Sequence, residues 1–118
     1  MKKLFLLLFA GILLMNLNCG SSTADVRITL TNPNNKTVPF NGYYLIAATG
    51  DSVTMQGSTP GEYTFTLEKG ESATGRVWKD TTDLVDTLHF QVFLNDDEQL
   101  SQKTTTLIEI IQFSIQAQ

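Results

Sequence analysis

From Asp25 onward, apolar and polar residues alternate with a period of two, and Gly, Pro, Asn and Asp interrupt the alternation at short intervals. Val26, Ile28 and Leu30 alternate with Arg27, Thr29 and Thr31, which predicts a first strand with one face buried. Asn32-Pro33-Asn34-Asn35-Lys36 then reads as a loop, because Pro33 has no backbone donor and Asn tolerates left-handed backbone. Residues 42–48, with Tyr43, Tyr44, Leu45, Ile46 and Ala47, form a strand apolar on both faces. Gly50-Asp51 turns this strand into a hairpin with residues 52–56. Pro60-Gly61 has the sequence of a type II turn. Tyr63, Phe65 and Leu67 then alternate with Glu62, Thr64, Thr66 and Glu68 to give a half-buried strand that ends at Lys69-Gly70-Glu71.

The second half continues in the same manner. Residues 72–79, with Val77 and Trp78, read as an edge strand leading into Asp80-Thr81-Thr82-Asp83. Leu88, Phe90, Val92 and Leu94 alternate with His89, Gln91 and Phe93 up to a turn at Asn95-Asp96-Asp97. Residues 98–104 return from that turn, and residues 107–115 close the chain with Ile111, Phe113 and Ile115 on one face. No stretch of this region has helical periodicity. Seven or eight short antiparallel strands in under 100 residues predict an all-β, immunoglobulin-like β-sandwich, with a small closed barrel as the alternative.

The first residues break this pattern. Lys2 and Lys3 precede an unbroken apolar run, residues 4–15, which gives way to Asn16-Leu17-Asn18-Cys19-Gly20-Ser21-Ser22. This is the layout of a secretory signal peptide, and the run falls short of the roughly 20 residues that span a hydrocarbon core. Cys19, the only cysteine, resembles the acylated cysteine of the bacterial lipoprotein lipobox, although Asn16 and Asn18 stand where that motif has Leu and a small residue. A competing site, Ser22-Thr23-Ala24, fits the small-x-small rule of ordinary cleavage and would release a soluble chain beginning at Asp25. The lipid is favoured, because a lone cysteine forms no disulfide within the chain and a free thiol is uncommon in oxidising compartments. The expected organisation is a signal peptide over residues 1–18, a lipidated cysteine and tether over 19–24, and a β-sandwich over 25–118.

Processing at Cys19 leaves 100 of the 118 residues, enough for one domain with its own core. Loss of Lys2 and Lys3 leaves six basic against twelve acidic residues. A net charge of that sign argues against nucleic acid as a partner, since phosphate backbones call for a basic patch.

Residues 86–100, Asp-Thr-Leu-His-Phe-Gln-Val-Phe-Leu-Asn-Asp-Asp-Glu-Gln-Leu, followed by Thr104-Thr105-Thr106 and a final strand, resemble the closing hairpin of small exported immunoglobulin-like sandwich proteins. The layout of residues 42–115 is similar to that of the membrane-anchored accessory proteins of mycobacterial lipid transporters. The resemblance implies a sandwich outside the membrane that assists a larger complex. It carries over no functional residue, and this chain has a lipobox-like leader in place of a spanning helix.

Catalytic candidates are few. The single histidine, His89, falls on the polar face of a predicted strand, and no Gly-x-Ser-x-Gly elbow is present, so a non-catalytic protein is expected. Asp80, Asp83 and Asp86, and separately Asp96, Asp97 and Glu98, offer carboxylates to calcium, but neither run has the glycine and terminal bidentate carboxylate of a known calcium loop, and no metal or cofactor is assigned. Tyr43, Tyr44, Trp78 and Phe93 include members that alternation pushes outward, and they form the candidate binding surface. The expected function is that of an envelope lipoprotein, anchored to the outer membrane or cell surface through Cys19, which binds or assists a membrane or cell-surface complex through an envelope protein partner. The alternative is a small secreted or periplasmic enzyme or ligand carrier with a site in an apolar cleft.

Overall fold

The computed structural model describes residues 23–81, 85–105 and 109–118; the leader, Cys19, Asp83 and Leu107 lie outside them. Eight strands follow in order: β1 (Thr23–Thr31), β2 (Pro39–Ile46), β3 (Asp51–Ser58), β4 (Gly61–Glu68), β5 (Ser72–Lys79), β6 (Leu88–Leu94), β7 (Asp97–Thr104) and β8 (Ile111–Gln116). They build two four-stranded antiparallel sheets, β4-β1-β6-β7 (sheet I) and β3-β2-β5-β8 (sheet II). The fold is a β-sandwich and not a closed barrel.

Period two governs the core. Ala24, Val26, Ile28 and Leu30 of β1 point inward from the second position of sheet I, flanked by Leu67 of β4 and by Leu88, Phe90 and Val92 of β6. Sheet II answers with Phe40 and Tyr44 of β2, Met55 of β3, Ala73 and Val77 of β5, and Ile111, Phe113 and Ile115 of β8. Three aromatic pairs cross between the sheets: Tyr44 stacks on Phe65 with ring centroids 4.3 Å apart, Phe40 meets Tyr63 edge-on at 6.3 Å, and Phe90 lies tilted against Phe113 at 5.5 Å.

Two expectations are corrected. Strand β5 lies between β2 and β8, inside sheet II and not at its edge. Its inward row of Ala73, Gly75, Val77 and Lys79 needs a covering sheet and lateral partners. Pro60-Gly61 is not a type II turn, for Gly61 is already the first residue of β4 and lacks positive φ, while the Thr59–Pro60 peptide is cis. A Cβ at that point would stand 2.7 Å from Cζ of Phe40, so the buried ring would have to shift to admit one. By contrast, Asn95 and Asp96 both have positive φ and make the tight β6–β7 turn expected from their residue types.

Because the chain enters β1 and then alternates direction, the sandwich has two unlike ends. One end, the turn end, gathers Thr23, the connections 47–50, 69–71 and 95–96, and Ala117; the other, the loop end, gathers the four connections after β1, β3, β5 and β7. Side chains fasten the loop end. Asn32 Oδ1 accepts from the amides of Asn34 and Lys36 while its Nδ2 donates to Thr87 O. Thr59 Oγ1 accepts from the Val38 amide and donates to Lys36 O. Lys79, fully buried on the inward row of β5, donates from Nζ to Asp86 O at 2.7 Å and to Thr105 O at 3.0 Å, tying together the β5–β6 and β7–β8 connections.

Lys79→Met keeps the buried stem but leaves these carbonyls without their donor, and it is expected to lower stability by about 1–3 kcal/mol in urea unfolding. Gly42→Ala places a Cβ 2.2 Å from Arg76 O, a backbone atom that cannot swing aside. It is expected to cost roughly 1–3 kcal/mol or more in the same measurement.

Candidate functional site

The outward rows of the two sheets differ in chemistry. On sheet I they carry Asp25, Arg27, Glu62, Glu68, Glu98 and Lys103 among threonines, the usual surface of a soluble strand. On sheet II the cross-strand rows read Ser52–Leu45–Thr74–Ser114, Thr54–Tyr43–Arg76–Gln112 and Gln56–Asn41–Trp78. Arg76 is the only charged side chain in those rows, and no acidic partner is seen for it among the described residues. Tyr43 and Leu45 are each 39% exposed. Trp78 is half-buried, one step diagonally from Tyr43, within reach of aromatic cross-strand contact.

A shallow depression of about 430 Å³ lies in this face, lined by Tyr43, Leu45, Thr74, Arg76, Gln112 and Ser114, with Gly75 and Phe113 at its floor. The inward row beneath explains its shape. A Cβ on Gly75 would meet Cε1 of Phe113 at 2.3 Å and Tyr43 O at 2.6 Å. With no side chain on Gly42 or Gly75, β2 and β5 approach the core and each other more closely than other residues allow. The result is a concave patch of phenol, guanidinium, carboxamide and hydroxyl groups on an otherwise acidic protein.

The four aromatic residues expected to form one surface are divided by the fold. Tyr43 and Trp78 share the outer face of sheet II. Tyr44 is a correction: it is only 5% exposed, stacks on Phe65, and burial pushes its phenol pKa up. Alternation places it inward, because its neighbours Tyr43 and Leu45 face out. Phe93 lies on the opposite sheet, beneath the Arg27 guanidinium at 4.4 Å from the ring centroid, and Arg27 is held there by Asp96 at 2.9 Å. Leu45, Arg76 and Gln112 were missed by sequence reasoning, since only the register of β2, β5 and β8 brings them beside Tyr43.

His89 Nε2 lies 2.8 Å from Ser101 Oγ across the β6–β7 pair. A nucleophile–base pair needs a group that orients the imidazole and donors that receive an oxyanion. The cross-strand neighbours of His89 are Lys103 on one side and Thr31 on the other, and Glu98 is the nearby acid that acts on its charge. Partial desolvation and the Lys103 ammonium hold the His89 pKa below its usual value, and Glu98 offsets this in part. A second depression, of about 480 Å³, lies on sheet I among Asp25, Arg27, Glu62 and Asp96, but its one guanidinium is already engaged by Asp96. Among the described residues, no three His, Cys, Asp or Glu side chains converge as metal ligands. Compared with known proteins, the chain matches no family model and no curated sequence.

The His89 shift gives a signed expectation. Because folding disfavours the imidazolium, its contribution to stability is present above the unfolded-state pKa near 6.5 and is lost as pH falls below that value. In an NMR titration His89 is expected to titrate below 6.5. Lys103→Met is expected to raise the midpoint, and Glu98→Gln to lower it.

Proposed function

We propose that this chain is a lipid-anchored envelope protein, held through Cys19, whose sandwich is a non-catalytic binding or accessory module for a membrane or cell-surface complex. The observation that carries the binding role is the outer face of sheet II. Protein interfaces are depleted in Lys, Glu and Asp and enriched in Tyr, Trp and Arg, and their binding energy concentrates in a few such residues. Tyr43, Trp78 and Arg76 meet that description on neighbouring positions, beside a depression able to take an anchoring side chain. An envelope protein is therefore the favoured partner.

The start of β1 supports the anchor. Thr23 and Ala24 already pair with Glu68 and Leu67, and Ala24 is buried in the core. Cleavage after Ala24 would remove these first two ladder positions, whereas processing before Cys19 leaves β1 entire.

Two measurements on the full chain test the reading. Cys19→Ala should move the protein from the membrane fraction to the soluble fraction. Cross-linking in intact cells should join the wild-type protein to an envelope protein, and Arg76→Glu or Tyr43→Asp, both exposed and tolerable to the fold, should weaken that capture about tenfold or more. Equal capture by wild type and both variants would discard this face as the binding surface.

A further inference from the structure

We infer that Arg76, on the outer face of sheet II, receives a carboxylate: an Asp or Glu side chain that the partner protein presents from an otherwise uncharged patch. This names the partner group for the binding face proposed above and rests on that reading. The observation is unmet hydrogen-bonding capacity. Among the described residues, none of the side chains of Tyr43, Thr74, Arg76, Gln112 and Ser114 has a hydrogen-bond or ion-pair partner within the chain, although all five line one depression of about 430 Å³. On sheet I the outward polar groups engage one another: Arg27 with Asp96, His89 with Ser101, Gln91 with Glu98, and Thr29 with Gln91.

Register decides which of these groups act together. Arg76 lies directly opposite Tyr43 on β2 and Gln112 on β8, and Thr74 and Ser114 face each other in the next outward row. A carboxylate offers about four lone-pair positions, of which the planar guanidinium fork takes two. Phenol, carboxamide and hydroxyl donors stand beside the fork for the others. Tyr43 and Leu45, each 39% exposed, supply apolar contact around the charged pair.

Charge narrows the occupant. Residues 25–118 hold twelve acidic residues against six basic ones, and Arg76 is the one charged side chain in the outer rows of sheet II. A second copy laid face to face would bring two Arg76 side chains into one uncharged interface with no acid for either. A phosphate polymer or an anionic bilayer calls for several cations, and this face has one. A single acid in a neutral patch matches it, since any further charge on the partner would be desolvated here without a counterpart.

The chain has two arginines, Arg27 and Arg76, so the side-chain Nε–Hε region of an NMR spectrum contains both a reporter and its control. Arg27 is the control because Asp96 already engages it. Full-length protein in zwitterionic detergent is titrated, at constant ionic strength, with N-acetylglutamate α-methylamide and separately with its uncharged isostere N-acetylglutamine α-methylamide. Expected is a saturating shift of the Arg76 and Gln112 side-chain signals with the carboxylate, none with the amide, and an Arg27 signal that stays in place. Arg76→Lys, which keeps the charge but loses the fork, should bind the carboxylate about tenfold or more weakly while the rest of the amide spectrum is unchanged. An Arg76 signal that the carboxylate leaves in place, or shifts common to both arginines or to both probes, overturn the site. Several-fold tighter binding of methyl β-D-glucuronide than of the glutamate probe overturns the protein side chain as occupant in favour of an acidic sugar. In the cell cross-linking, capture weakened by Tyr43→Asp but not by Arg76→Gln overturns the carboxylate and leaves sheet II as the binding face, whereas capture unchanged in both overturns the face itself.

Discussion

Contact between the two inward-facing surfaces is what every other feature requires. Neither sheet has a second apolar face, so each is stable only while the other covers it. Strand β1 concentrates this dependence. It pairs with β4 on one side and β6 on the other, and its row of Ala24, Val26, Ile28 and Leu30 is almost fully sealed from water. The aromatic pairs Tyr44–Phe65, Phe40–Tyr63 and Phe90–Phe113 each take one ring from each sheet, so they fix how the sheets face one another as well as filling the space between them. Such pairs contribute about 0.5–1.5 kcal/mol each beyond area burial.

The two ends are secured by different means, and their connections explain why. Every connection at the loop end passes from one sheet to the other, leaving backbone groups that no ladder satisfies. Asn32, Thr59 and Lys79 supply the missing donors and acceptors from buried side chains. At the turn end, two of the three connections are hairpins within a sheet, and backbone bonds from Asn95 N to Asp25 O, Gly70 N to Ala117 O and Ala117 N to Glu71 O are joined by exposed side chains, Asn95 Oδ1 accepting from Asp25 N and Glu71 Oε1 from Glu68 N. A buried ammonium such as that of Lys79 is tolerated because its stem fills the core while its head reaches carbonyls at the boundary.

Much of this architecture was legible in the alternation. Strand β1, the half-buried strand ending at Leu67, and the hairpin around Asn95 and Asp96 follow from side-chain period and turn residues, which are local properties. Strand order was not legible, and the error on β5 shows why. Its outward residues Thr74 and Arg76 look like an edge strand's polar face, and nothing local reveals that β2 and β8 flank it. Lys79 was overlooked for a related reason: strict alternation from Ala73 through Val77 points it inward, but a lysine is read as exposed unless the carbonyls that receive it are known. The candidate face was half legible. Tyr43 and Trp78 stood out as surplus aromatics, whereas Arg76, Gln112 and Leu45 join them only through register.

That register also shows why the two outer faces diverged. Beneath sheet I the inward positions other than Gly61 carry side chains, and its outer rows hold threonine and charge. Beneath the centre of sheet II, Gly42 opposes Val77 and Gly75 opposes Tyr44, so each inward pair has one member without a side chain. Phe113 lies against Gly75, and the residues on the outer side line the depression. Filling those glycines would improve core burial only if the strands moved apart. The nearly uncharged outer face of sheet II thus lies over the strand pair that these two inward glycines allow to close up, which ties the shape of its depression to the residues that line it.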